Sequence, residues 1–474
     1  MTDDRTHRSP SPSSERSSPP RWRSRTPASA TRRGFLALAG ATALAGCSDF
    51  GDVLNREDGG PTLDGATLRD VVASDSPSVP ETVPVEIPRS DIDSGLARAR
   101  DLLGSVPASL DAEAIPNGAI RRRLARNRDE AEKSIDAVSE AASPLEAIDR
   151  LGDARESARS VAAAWRAIDG DLAPEDLRRS AEDIWVALNR FRYAWDYLGT
   201  DPVRALVVHA TVEGRLRTAT GSAERVVGRG RPTPDDPLAV GELAGRLEVA
   251  RAAMDDMATL YDPIRKSGDT RTFRSGFVRA VDALEAVIDA RRRRLPDADP
   301  RTPSAYVDGN VEGTPVGHAI GDLAEELTHH DDFERERRTD DYATTILAGH
   351  GTLARLRALE SLRQRVAADE HVTVESVADV RTLRRRAVDA IEAVRERDEH
   401  PHLNRRELAA IDEFVSYADE ELVRSASDDS VDVNSIAREL GNYVRAAAVA
   451  RELPQASADA AKIVRRSVRE VADG

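Results

Sequence analysis

Four of the nine histidines, His318, His329, His330 and His350, fall in one stretch beside Asp322, Glu325, Glu326, Asp331 and Asp332. Imidazole and carboxylate are donors a divalent cation accepts. Glu326 and His329 form an E-x-x-H pair, three residues apart and so on one face of a helix. In carboxylate-bridged di-iron bundles that spacing brings Glu and His onto one metal, but such sites use two E-x-x-H pairs and two further Glu. The only other match, Glu399–His402, is interrupted by Pro401. The set is incomplete and no cofactor is predicted. Glu326, His329 and His330 stand as a candidate divalent-metal site against a plainer reading, solvated or helix-capping residues.

Aromatic residues are only 4% of the chain, yet Trp185, Phe191, Tyr193, Trp195 and Tyr197 lie close together, with Trp165 shortly before them. On a helical projection they cover more than one face, as in a helix packed on several sides. The alternative is a pocket for an apolar or planar ligand lined by Trp165, Trp185 and Trp195. Arginine runs at Arg121–Arg123, Arg291–Arg294 and Arg384–Arg386 have carboxylates one turn away, as for Asp289 and Arg293. That spacing suits ion pairs along a solvated face; contact with anionic headgroups or polymers is the alternative. There is no G-x-S-x-G elbow, H-E-x-x-H, P-loop or G-x-G-x-x-G after a strand, and no enzymatic activity is predicted. One echo links the two halves: His209-Ala-Thr-Val before Arg215-Leu-Arg, and His350-Gly-Thr-Leu before Arg355-Leu-Arg.

The elements that must position these groups read as helices. Leu177, Ala181, Ile184, Leu188, Phe191, Trp195 and Leu198 alternate spacings of four and three. So do Leu243, Leu247, Ala250, Met254, Met257 and Tyr261, and Leu408, Ile411, Val415, Ala418 and Leu422. Each series puts an apolar seam on one helical face. Ser143-Pro144-Leu145-Glu146 is a capping box, and Asp201-Pro202 and Asp236-Pro237 place a capping carboxylate before an N1 proline. No convincing alternation suggests a sheet. The fold expected is all-α, as antiparallel helical bundles: a helical domain over 90–230 and a second over 231–474, with a long loop near 296–315. Residues 47–89, rich in Gly, Pro and Asp, read as a flexible tether ahead of them.

Acidic residues outnumber basic ones 84 to 68, for a formal charge of −16, and only Lys133, Lys266 and Lys462 are lysines. High acid, scarce lysine and few aromatics resemble the proteins of extreme halophilic archaea, in which an acidic surface keeps protein in solution in brine. At 1 M salt the Debye length is about 3 Å, so distant charges cannot steer partners. Nucleic acid is not an expected partner of so acidic a chain.

Near the N-terminus, Thr31-Arg32-Arg33-Gly34-Phe35-Leu36 opens a short run of Ala, Leu and Gly that closes on Leu44-Ala45-Gly46-Cys47, the sole cysteine. The run is about a dozen residues, against roughly 20 for a membrane span. Residues 31–47 resemble the signal of a haloarchaeal lipoprotein exported by the twin-arginine route, with Arg32 and Arg33 as export signal and Cys47 as lipidation site. The resemblance implies that 1–46 is a removable signal peptide and that the rest is anchored to the cell membrane by lipid, on its extracytoplasmic face. The expected role is binding or scaffolding in the cell envelope, with an envelope protein or polymer as partner. The alternative is a small-ligand or metal-binding lipoprotein.

Overall fold

The computed structural model describes residues 61–73, 77–228, 236–397 and 399–472. The export signal and Cys47 lie outside them. The described chain is all-α apart from two short antiparallel ladders. The helices begin where capping side chains satisfy free N–H groups. The Ser143 hydroxyl accepts from Glu146 N–H at 3.1 Å, and Asp201 from Arg204 N–H at 2.9 Å.

The short α1 (Gly65–Val72) precedes the first group of helices but packs on the second. The first group is α2 (Arg89–Gly104), α3 (Gly118–Ala137), α4 (Pro144–Ile168), α5 (Pro174–Ala194), α6 (Pro202–Gly228) and α7 (Pro237–Lys266). The second is α8 (Arg274–Arg292), α9 (Pro315–His329), α10 (Asp332–Glu336), α11 (Tyr342–Ala367), α12 (Val377–Arg395), α13 (Pro401–Ser425) and α14 (Ala437–Ala472). In the first group α7 packs chiefly on α4 and α6, and α4 also on α2 and α3. In the second, α14 is the axis, touching α8, α9, α11, α12 and α13. Helix α6 joins the groups by packing on α11 and α14, and one apolar core runs through both.

The helices on either side of 229–237, α6 and α7, share this core, so a division at 230/231 separates nothing; the change of group falls at α7/α8. The stretch read as a tether is packed from Pro61 onward. Strand β1 (Thr62–Asp64) pairs antiparallel with β4 (Ser430–Asp432), Leu63 opposite Val431. Buried Leu63, Leu68, Val71, Val79 and Ile87 hold the segment to the body. Leu68 and Val71 have helical spacing on α1, with Asp64 as its cap, but that helix is only two turns long and Leu63, Val79 and Ile87 fit no period, which is why composition reads as linker.

Two further differences have physical causes. Helix α5 stops at Ala194, and the chain turns extended so that β2 (Leu198–Gly199) pairs with β3 (Arg271–Thr272). Trp195 and Tyr197 therefore lie beyond the helix. Helix α14 runs straight through Pro454. An interior proline costs about 3 kcal/mol, but Leu453, Ala456, Ser457 and Ala460 around it are buried, and that packing outweighs the lost bond. The irregular connection before α9 is anchored by Tyr306, which is buried and donates to Ala298 O at 2.7 Å.

Candidate functional site

The E-x-x-H pair is not brought onto a common point. The Glu326 carboxylate is held by Arg445 at 3.1 Å and Arg355 at 3.2 Å. His329 and His330 are exposed at the end of α9, and His329 Nδ1 lies 2.7 Å from the Thr328 hydroxyl. Among the described residues no three His, Cys, Asp or Glu side chains converge as metal ligands would. The metal reading of Glu326, His329 and His330 thus fails on geometry, because two guanidinium groups take the carboxylate.

The tryptophans do not share a pocket either. Trp165 and Trp185 are half-buried at the core's edge, and none of the three lines the slot described below. Trp195 is buried against Tyr197, their ring centroids 4.8 Å apart. Its indole N–H donates to His209 Nδ1 at 3.1 Å, so His209 donates from Nε2 to Leu198 O at 2.8 Å. Both ring nitrogens are occupied and the neutral tautomer is set. Burial drives the His209 pKa down to about 4.

One turn further along α6, Glu213 is fully buried. It accepts from the Tyr197 hydroxyl at 2.5 Å, from Ala343 N–H at 3.1 Å and from Thr344 N–H at 2.6 Å. The N-cap of α11, Asp341, makes no side-chain cap bond. Glu213 replaces it from a different helix, placing a carboxylate where N–H groups and the helix dipole favour one. Burial pushes its pKa up to about 7, against the Thr344 and Tyr197 hydrogen bonds that pull it down. This cluster has the residue types of an acid–base site. Each polar atom is spent on holding α6, the β2 segment and α11 together.

A second buried group looks more like a nucleophile site. His350 Nε2 lies 2.8 Å from Ser457 Oγ, and both residues are buried. The Ser457 hydroxyl donates to Asn404 Oδ1 at 2.7 Å, and Asn404 donates to Glu399 O at 2.9 Å. With the serine proton committed to Asn404, His350 must be the donor to Ser457. That is the reverse of the proton flow an activated serine needs, and the chain ties α11, α14 and α13 together.

The charged groups left with room for a ligand lie elsewhere. Between α9, α11, α12 and α14 a narrow slot encloses about 420 Å³ free of protein atoms, mouth included. Its floor is Val316, Leu362, Leu383, Tyr443 and Ala447, all buried. Arg365, Arg386 and Arg451 line it, and none is within ion-pair distance of a carboxylate among the described residues. The buried arginines among the described residues, Arg155, Arg384 and Arg445, are all paired with carboxylates. Arg384, next after the slot's Leu383 in α12, is buried and clamps Asp419 through two bonds of 2.9 and 2.8 Å. Of the run Arg384–Arg386, only Arg385 is freely exposed.

Comparison with known proteins divides the body at the same place as the packing. Residues 90–270 match the family described as Domain of unknown function (DUF8262), and residues 274–462 the family described as Domain of unknown function (DUF8264). No curated protein matches the chain, and no solved structure does.

Proposed function

We propose that the chain is a binding or scaffold protein of the cell envelope, exported by the twin-arginine route and held by lipid on Cys47 at the extracytoplasmic face of the membrane. The observation that carries the location is the order Arg32-Arg33, short apolar run, Leu44-Ala45-Gly46-Cys47. Binding rather than turnover is supported by where the acid–base groups are spent: His209, Glu213, His350 and Ser457 are buried in bonds between helices. The second reading, a small-ligand-binding lipoprotein, is favoured by the slot and its three arginines.

Cell fractionation tests the location. The Cys47→Ser chain lacks the thiol that takes the lipid and should appear in the medium or accumulate unprocessed. Arg32→Lys together with Arg33→Lys should keep the precursor inside. A Cys47→Ser chain that fractionates with membranes as the unaltered one does would overturn the anchor. Whole-cell crosslinking tests the binding, and should recover one reproducible partner that weakens when exposed Arg122 and Arg123 become glutamine.

A further inference from the structure

We propose that the slot between α9, α11, α12 and α14 is a binding site for a small anionic amphiphile, its carboxylate or phosphate head on Arg365, Arg386 and Arg451 and its apolar end on Val316, Leu362 and Ala447. The inference rests on the reading of the chain as a binding protein and names the ligand class.

Three features of the slot point this way. The first is uncompensated charge. In a chain with 84 acidic residues against 68 basic ones, three guanidinium groups from three helices line one opening whose only acidic lining residue is Glu370, and none of the three is within ion-pair distance of a carboxylate among the described residues. The only hydrogen bond to this trio among the described residues is from Arg365 to the backbone oxygen of Glu370, at 3.0 Å. Arg451 is exposed as a residue, but the protein around its guanidinium partly desolvates it, and that, followed by the charges of Arg365 and Arg386, disfavours its charged form, with Asp389 offsetting part of this. An anionic head would relieve that repulsion and engage the planar donor forks that suit carboxylate and phosphate.

The second feature is the division of polarity. The floor is buried and apolar, while Arg451 is exposed and Arg365 and Arg386 are half-buried. Charge therefore lies at the mouth and hydrocarbon below, the order of groups in an amphiphile. The slot is narrow and walled mainly by aliphatic side chains, among them Val316, Leu362 and Val444, which suits the end of an aliphatic chain. The third is an unused polar atom. His371 Nδ1, in the loop that edges the slot, is buried without a hydrogen-bond partner. The nearest carboxylate oxygen, on Asp369, is 3.9 Å away, too far for a hydrogen bond. Both the ion contact and the apolar contact act at short range and survive the screening of molar salt.

Calorimetric titration of the purified full chain in 2 M KCl tests the site with four probes below their micelle concentrations: octanoate, octyl phosphate, octyl glucoside and inorganic phosphate. At least one of the two anionic amphiphiles should bind at a single site, at least tenfold more tightly than either octyl glucoside or inorganic phosphate. Octanoate against octyl phosphate tells which head is preferred. Arg386→Gln with Arg451→Gln, at side chains without ion pairs, should weaken that binding at least tenfold. Val372→Phe, which fills the mouth and leaves all three arginines, should weaken it as well. The proposal is overturned if neither anionic amphiphile binds, if octyl glucoside or inorganic phosphate binds as tightly, or if the arginine variant, shown folded by circular dichroism, binds unchanged. These readouts need neither export nor lipid. Loss of binding leaves the envelope location standing, and a failed fractionation leaves the slot standing.

Discussion

At the scale of single residues, the pair that decides most is His209 and Glu213, one helical turn apart on the buried face of α6. Their proton affinities are displaced in opposite senses. Glu213 rises from 4.5 to about 7 and His209 falls from 6.5 to about 4, burial being the first cause in each. Between pH 4.5 and 7 the folded chain holds a proton on Glu213 that the unfolded chain has lost. Its contribution is full below 4.5 and lost as pH rises through 7. Between pH 4 and 6.5 the unfolded chain holds a proton on His209 that the folded chain refuses. That contribution is full above 6.5 and lost as pH falls through 4. Over the shared window, 4.5 to 6.5, the two oppose each other, each with a slope of up to about 1.4 kcal/mol per pH unit. Separating them should expose both. Measured against the unaltered chain by chemical denaturation, His209→Gln should gain stability as pH falls from 6.5 to 4.5, and Glu213→Gln should lose it. Two difference curves that stay flat across that window would contradict the assignment.

At the scale of elements, α4 and α7 form the most extensive helix pair and cross closely. A Cβ built on Gly241 would sit 2.5 Å from the Ser160 backbone oxygen, and one on Gly245 2.1 Å from the Ser160 hydroxyl oxygen. The two glycines, one turn apart on α7, let α4 approach to backbone contact. Alanine is the better helix former by about 1 kcal/mol, so propensity alone favours replacing either. Overpacking costs about 1–3 kcal/mol, and at Gly241 the obstacle is backbone that cannot rotate away. Gly241→Ala should therefore destabilise the fold. Gly152→Ala, in α4 with open space around its Cβ, should stabilise it by up to about 1 kcal/mol. Thermal melts of the two variants should move in opposite directions from the unaltered chain; a gain in Gly241→Ala would mean that α4 and α7 are not in backbone contact.

At the scale of the whole molecule, the two family segments share one core through α6, α11 and α14. All three described tryptophans, Trp165, Trp185 and Trp195, belong to the first segment, while helices fill both. In a chain that starts at Cys47, and so lacks Trp22, tryptophan fluorescence thus reports one half and far-ultraviolet circular dichroism reports both. Coincident unfolding midpoints are the mark of a single cooperative unit, and coincidence is expected here. Self-repulsion among excess carboxylates weakens as salt screens it. Both midpoints should therefore rise together as KCl goes from 0.1 to 2 M. Midpoints that separate would show the segments unfolding independently, and midpoints insensitive to salt would contradict the halophilic reading.

Reading the chain residue by residue was sufficient for whatever neighbours along the chain decide. The seam from Leu177 to Leu188, the caps at Ser143, Asp201 and Asp236, and the all-α class follow from local spacing and local hydrogen bonds, and the helices stand there. The expectation attached to Thr31–Cys47 also rests on a linear segment, and that segment lies outside the described residues. What escaped was non-local. Trp195 and Leu198 continue the helical period of α5, and only the pairing of Leu198 and Gly199 with Thr272 and Arg271 draws the chain out of it. Pro454 reads as a break until the packing of Leu453, Ala456, Ser457 and Ala460 on the core outweighs it. Glu326 and His329 have metal-ligand spacing, but Arg355 and Arg445 come from other helices to claim the carboxylate. A signal for Glu213 was present: it follows His209 by four residues inside the apolar run of α6, a polar pair on a buried face. The partners that give it a role, Tyr197 and the first turn of α11, are set by helix packing. Likewise Arg365, Arg386 and Arg451 are ordinary helix-surface arginines in the sequence. Their convergence over an apolar floor depends on how α11, α12 and α14 cross, and crossing is governed by side-chain shape across the core rather than by any period along one helix.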